Sequence, residues 1–367
     1  MNKKKILYIH PGRMPRQNAS SIQVNHQCSG FSKIAKLTLI CPMISNKKKY
    51  INYYGIKPNF KIISHKFHHH YFGGYRWALK TSLIAKEKRP DLVYTRDIAI
   101  SFFCTFLNIP NVIEIHQDLT TYSTILKFFF KWSVKKKHCN IVAISNNLKT
   151  YLSNNFRIKQ KKIIVAHDAA PEITKPSLKK KFSKPVKIGY VGSLHEGKGI
   201  EIIIPLAKKF QNCQFHIVGG TYTQIEKAKK KATKNVFFHG HFIQKEAFRF
   251  LKKFDVVLAP YSFYVRGGTP GNLAKWMSPL KIFEYMAFQK PIICSRLPPL
   301  LEIGKEHENI IFCSPENIKD WEIKLKFLLS NPKKALNLGV NARKTYEKNY
   351  TYKIRAKKIL GSLDKLI

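Results

Sequence analysis

The feature that most constrains this chain is a rhythm. A short run rich in apolar and β-branched residues is followed by a longer stretch with helical periodicity, and the pair repeats along almost the whole length. Strand-like runs fall at residues 5–10, 37–41, 61–66, 91–96, 111–116, 140–145 and 162–168, with helical periods such as 21–34, 75–87 and 123–137 between them. Runs that are apolar throughout belong to strands buried on both faces, and intervening helices are what join parallel strands. The rhythm breaks across residues 169–185, AAPEITKPSLKKKFSKP, which hold three prolines, five lysines and no periodic apolar face. It restarts at 187–192, 214–219, 235–240, 255–261, 291–295 and 309–313, and beyond 316 only helical patterns remain. The expected fold is α/β, with two Rossmann-like, doubly wound domains at 1–170 and 186–345 joined by a linker at 171–185. A ligand is expected in a central cleft faced by both domains, near the carboxyl ends of the strands. Residues 346–367 are expected to form a helix packing back on the first domain.

Bulk properties agree with two full-sized domains. The chain has 367 residues, 44% of them hydrophobic and 13% aromatic, enough to fill two cores. No run of about 20 apolar residues is present, so no spanning helix is expected. The opening MNKKKILYIHPGRMP has too short an apolar stretch for a signal peptide. The seven cysteines stand singly on mostly apolar segments, which points to reduced core residues in the cytosol. Lysine and arginine total 66 against 21 aspartate and glutamate, a formal net charge of +45. Such a field draws the protein toward polyanions, whether nucleic acid, an anionic membrane surface or phosphate-bearing substrates. A lysine-rich codon bias accounts for the excess equally well. No zinc-finger spacing or aromatic RNA-binding strand occurs, so specific nucleic-acid recognition is not expected.

The most informative segment is SPLKIFEYMAFQK, residues 278–290. Ser278 suits an N-cap and Pro279 the first helical position. A helix begun there presents free N–H groups and a positive dipole end, which together favour a phosphate. Lys281 and Glu284 are three apart and share a face. The lysine can add charge for a diphosphate, and the carboxylate one turn deeper can accept hydrogen bonds from two ribose hydroxyls. The alternative is a capped surface helix with an intrahelical Lys–Glu pair.

With its surroundings this segment resembles the nucleotide-sugar signature of the family 4 glycosyltransferases, retaining enzymes of the GT-B fold. VGSLHEGKGIEIII (191–204) resembles the family's glycine–lysine loop. DLVYTRD (91–97), VIEIHQ (112–117) and VAISNNLKTYL (142–152) resemble landmarks of its N-terminal domain, and LGVNARKTYEKNYTY (338–352) its C-terminal helix. The resemblance implies a ribose-holding role for Glu284, a diphosphate contact for Lys198 and a position near the donor sugar for His116. It places Gly192, Ser193, Ser278, Pro279, Leu280 and Lys281 around the donor, and Gly12 with the loop to Ser21 near acceptor and diphosphate. It also implies retention of anomeric configuration, with attack on the face from which the diphosphate leaves and closure of the domains around the donor.

Three positions depart from the family pattern. Trp276 stands where a first glutamate is expected, Ser193 stands where an arginine often accompanies the diphosphate lysine, and Gln17-Asn18-Ala19-Ser20 replaces a Gly-Gly loop. Arg266, in VRGGTPG, is a candidate replacement for the missing arginine. No D-x-D triplet occurs, so neither metal nor cofactor is expected. The His68-His69-His70 run lacks the spacing of a zinc site. The stretch ILKFFFKWSVKKK (125–137) interleaves rings with lysines. Lys127, Phe128, Phe129, Lys131, Trp132 and Lys135 are therefore candidates for membrane contact, with Lys179 to Lys181 and Lys229 to Lys231 adding to the same surface. The same residues also fit an amphipathic helix whose rings enter the core. The expected activity is metal-independent hexosyl-type transfer from a nucleotide-diphosphate sugar to a lipid-linked or growing surface saccharide, in the cytoplasm on the inner face of the membrane. The alternatives are a nucleotide-sugar epimerase, a catalytically degenerate homologue and a non-enzymatic polyanion-binding protein.

Overall fold

The computed structural model describes residues 3–16, 18–42, 47–54, 58–65, 73–174, 176, 181–267 and 271–365. Gln17, the histidine run at 68–70, Lys179, Lys180 and residues 268–270 lie outside them. The chain divides into two compact units, Met1–Asp168 with Tyr352–Ile367, and Ala169–Thr351.

In the first unit the apolar runs become β1 (Lys5–Ile9), β2 (Lys36–Cys41), β3 (Lys61–Ser64), β4 (Leu92–Thr95), β5 (Asn111–Ile115), β6 (Cys139–Ala143) and β7 (Ile163–Val165). They form a 7-stranded sheet in the order β3-β2-β1-β4-β5-β6-β7, with every pair parallel. Every residue of β4 and β5 is buried, as a parallel sheet covered by helices on both faces requires. Side chains set the helix starts: Asn18 accepts from the Ser21 amide at 2.8 Å, and Asp97 from the Ile100 amide at 3.0 Å.

The second unit repeats the plan with β8 (Val186–Val191), β9 (Cys213–Val218), β10 (Val236–Gly240), β11 (Val256–Ala259), β12 (Ile292–Ser295) and β13 (Ile311–Cys313), ordered β10-β9-β8-β11-β12-β13 and parallel throughout. In both sheets the strand order reverses beside the first strand, between β1 and β4 and between β8 and β11. Loops leaving those strands diverge and open a crevice, which is where such sheets bind ligands.

The C-terminal crossover differs from expectation in its boundary. The helix Pro332–Asn349 stays with the second unit, and only Tyr352–Asp364 joins the first. There Ala356, Ile359 and Leu363 enter the core with Val24, Cys28 and Phe31. The two helices approach closely: a Cβ on Gly30 would lie 2.4 Å from the Tyr352 carbonyl oxygen. All seven cysteines are buried and free, and burial pushes the Cys41 and Cys104 thiols up to about 12. Among the described residues, no helix is long and apolar enough to cross a membrane.

Candidate functional site

In the second unit the candidate residues gather at the carboxyl ends of β8 and β11. After β8 the chain turns at Gly192, whose φ of 154° disfavours other residues. A Cβ there would also sit 2.8 Å from Lys281 Nζ, so the glycine leaves the space that the ammonium fills. Ser193 offers its carbonyl to the Tyr190 hydroxyl at 2.7 Å. The following turn carries Lys198, and Gly199, at φ 105°, starts the helix Ile200–Lys209 against Pro260. Backbone hydrogen bonds from Ser262 to Gly197 (3.0 Å) and from Arg266 to Glu196 (3.1 Å) knit this loop to the one after β11.

The helix carrying the signature runs Leu280–Ala287, one position later than expected. Pro279 is its N-cap: its ring fixes φ at −76°, but its ψ of 123° is extended, so the helix begins at Leu280 and Ser278 lies outside it. Pro279 has no side-chain acceptor with which to cap this terminus, and the first amides of a helix are the groups that can receive an anion. At the other end, Arg343 donates from Nη1 to the Ala287 carbonyl and from Nη2 to the Ile173 carbonyl at 2.9 Å. The helix bearing the Asn-Ala-Arg motif therefore anchors the signature helix by its carboxyl terminus.

Lys281 is the central observation. Its Nζ lies 3.8 Å from the centre of the Tyr190 ring and 5.0 Å from that of Tyr261. It is buried and makes no hydrogen bond. Burial holds its pKa well below the ordinary lysine value, and the charge of nearby Lys198 lowers it further. Lys198 is itself half-buried and lowered by burial. Two lysine side chains are thus held near one another without a carboxylate bonded to the deeper one, and its charged form is disfavoured. Glu284, 8% exposed, receives a hydrogen bond from Gln244 Nε2 at 2.6 Å. Burial raises its pKa, while the Gln244 bond and the Lys281 charge lower it. The surface helix with a Lys–Glu pair is excluded, because Glu284 and the Lys281 nitrogen are buried and that nitrogen is not bonded to the carboxylate. His195 has its pKa lowered by burial and by the charges of Lys198 and Arg266, so Arg266 lies on the same electropositive loops. Trp276 is half-buried at the end of the turn Leu273–Lys275.

The first unit holds a separate polar cluster at the ends of its strands. His116 hydrogen-bonds Glu114 through Nε2. Glu114 also accepts from the Tyr94 hydroxyl, from Gln23 Nε2 at 2.7 Å and from Arg355 Nη1 at 3.0 Å. Glu114, His116 and Asp168 lie close enough to share a metal ion. Here Arg355, 3.0 Å from Glu114 and 3.9 Å from Asp168, supplies the positive charge for both carboxylates. Burial, then Arg96, lowers the His116 pKa, so the ring is neutral near pH 7. His10 is buried behind Gly12, where a Cβ would come 2.4 Å from its Nε2. Its pKa is held down to about 3 by burial and then by Arg96, and its Nδ1 has no hydrogen-bond partner. Gly12 therefore serves at least to admit this imidazole.

Sequence reasoning did not single out His10, Arg355, Gln244, Tyr190 or Tyr261. His10 follows β1 as His116 follows β5, a signal that was available. The others act on residues 40 or more positions away, or as ordinary core tyrosines, and carry no local signal.

The predicted membrane helix forms as Thr124–Ser133. Phe128, Lys131 and Lys135 are exposed, whereas Phe129, Trp132 and Lys127 are half-buried. Phe129 stacks on Phe102, and Lys127 donates to the Thr120 carbonyl at 2.8 Å.

Residues 173–345 match the family model described as glycosyl transferases group 1. An uncharacterized glycosyltransferase of Methanocaldococcus jannaschii is 28% identical over 262 residues, covering 66% of this chain and 62% of that relative. The match thus spans less than two thirds of the relative's length. Among solved structures, a glycosyltransferase from Rickettsia africae has a TM-score of 0.76 at 16% identity, covering 100% of this chain and 99% of the other. Anabaena HepE in complex with UDP has a TM-score of 0.74 at 14% identity, covering 98% and 100%. At these identities the likeness is one of fold: two parallel-sheet, Rossmann-like α/β domains as in GT-B glycosyltransferases.

Proposed function

We propose that this chain is a retaining, metal-independent glycosyltransferase of family 4, and that the second unit holds its nucleotide-diphosphate-sugar donor. The observation that carries the reading is Lys281, whose buried side-chain nitrogen has no hydrogen-bond acceptor, beside a second lysine and the start of the signature helix. A diphosphate supplies the missing counter-charge. Lys281, Lys198 and the amides from Leu280 onward bind its oxygens, with Gly192 and Ser193 lining the approach. Glu284, held by Gln244, accepts the ribose hydroxyls. UDP bound to the fold relative HepE supports a uridine nucleotide as the first donor class to test.

In the reaction the bond between the anomeric carbon and the β-phosphate oxygen breaks. The acceptor oxygen bonds to that carbon from the same face, and its proton passes to the departing diphosphate. Negative charge grows on the leaving group, so cations fixed beside it favour the transition state over the ground state. His116, neutral and oriented by Glu114, is suited to hydrogen-bond a sugar hydroxyl. The acceptor is a lipid-linked or growing surface saccharide, which places the enzyme in the cytoplasm on the inner face of a membrane.

The test is calorimetric binding of UDP-, GDP- and ADP-linked sugars with EDTA present, to wild type, Glu284→Ala and Lys281→Met. One nucleotide class is expected to bind, with each substitution costing about 1–3 kcal/mol, the range for a lost hydrogen bond to a charged group. If no nucleotide sugar binds, or the variants bind as wild type does, the donor site is wrong and a degenerate homologue becomes the better description.

A further inference from the structure

We infer that the outer face of three adjacent helices in the first unit, Gly73–Lys88, Ile98–Phe106 and Thr124–Ser133, docks onto an anionic lipid bilayer. The inference extends the proposed function from the saccharide acceptor to the surface that presents it, and in that respect rests on it.

The face is assembled by aromatic contacts. Phe129 stacks on Phe102 with centroids 3.8 Å apart and planes 5° apart. Trp132 meets Phe102 edge-on at 5.2 Å, and Tyr75 meets Phe129 edge-on at 6.0 Å. These rings join the three helices and are only half-buried. Outside them stand Phe106, Phe128 and Ile125, 63%, 60% and 55% exposed, with Leu83 and Leu79 also exposed. Leu79 lies one turn beyond Tyr75 and Leu83 one turn beyond Leu79, so the leucines continue the row begun by the aromatic joint. The helix Ile98–Phe106, IAISFFCTF, has no charged residue, yet it ends in an exposed phenylalanine. A contiguous apolar face of this kind marks an interaction surface.

The charge around it selects the occupant. Arg76, Lys80, Lys131, Lys135 and Lys136 are exposed, and Lys136 Nζ lies 4.8 Å from the Trp132 ring centre. Glu87 is the one carboxylate in the three helices. A second copy of the same face would set lysine against lysine. An anionic bilayer offers acyl chains to the rings and phosphates to the ammonium groups, as interfacial helices require.

The test uses the full chain with vesicles of phosphatidylcholine alone or mixed with phosphatidylglycerol. It compares wild type with Phe106→Ser/Phe128→Ser and Lys131→Glu/Lys135→Glu. All four side chains are at the surface, so thermal unfolding should be unchanged. Wild type is expected to bind the anionic vesicles, and each double variant to bind about tenfold or more weakly, given the apolar area and charges removed. The inference is overturned if wild type does not bind, or if the serine variant binds equally well, which is adsorption of a polycation. It is also overturned if sedimentation shows that the serine substitutions dissociate a dimer. Nucleotide binding by the second unit is read separately, so failure here is distinct from failure of the donor site.

Discussion

At the scale of single residues, the functional reading turns on groups held in states that water would not allow. A lysine on an exposed helix keeps its charge solvated. Lys281 instead lies under two tyrosine rings and beside another lysine, an arrangement that is unfavourable until an anion arrives. His10 is the counterpart in the first unit. Its folded pKa of about 3 lies below the unfolded value of 6.5, so between those limits the unfolded chain takes up a proton that the folded chain refuses. Its contribution to stability is therefore fully present above about pH 6.5 and is lost as the pH falls toward 3, at up to about 1.4 kcal/mol per pH unit. His167, held to about 4 by burial, acts in the same direction. Denaturant unfolding of the first unit across pH 7 to 4 should show this acid slope, and His10→Gln should reduce it by about one proton. An unchanged slope in the variant would mean that His10 is protonated in the folded protein. Lys281 and Glu284 were legible in the sequence because helix start, lysine and carboxylate fall within one short segment. Gln244 and His10 were not, because the Glu284 contact and the burial that define them arise only after distant elements pack.

At the scale of elements, the C-terminal helix Tyr352–Asp364 completes the first unit through close contact and through ion pairs of Arg355 and Asp364. The helix Ala19–Ser32 reaches it at Gly30, where a side chain would strike the Tyr352 carbonyl. Gly30→Val should lower stability by about 1–3 kcal/mol through overpacking. Gly361, whose Cβ would meet nothing within 4 Å, provides the control: Gly361→Ala should be neutral or stabilise by about 0.5–1 kcal/mol. Equal effects at the two positions, measured by denaturant midpoint, would refute the close-contact account. The helix Thr124–Ser133 shows what pattern leaves open. Its alternation of rings and lysines fits either a core-facing or a bilayer-facing helix. Packing divides them, turning Phe129 and Trp132 partly inward and leaving Phe128 exposed.

At the scale of the whole molecule, residue 355 neutralises residue 114 across more than half the chain. Arg355, 2% exposed, pairs with the fully buried Glu114, which also holds His116. Arg355→Met should destabilise the first unit by about 3–5 kcal/mol, the cost of leaving a buried carboxylate without its partner. Donor binding by the second unit should be retained, since Arg355 is absent from that unit. A variant as stable as wild type would show that Glu114 does not need the guanidinium. The sequence alone determined the parallel α/β architecture, and it marked a break near residue 170 and a segment proposed as the donor site. Those properties follow from local periodicity, from a proline- and lysine-rich break and from residues adjacent on one helix. Only the tertiary structure decided that Lys281 lacks a hydrogen-bond acceptor, that Gln244 holds Glu284 and that Arg355 answers Glu114. Burial and charge pairing belong to the packed chain, because they depend on which distant side chains exclude water from a given atom.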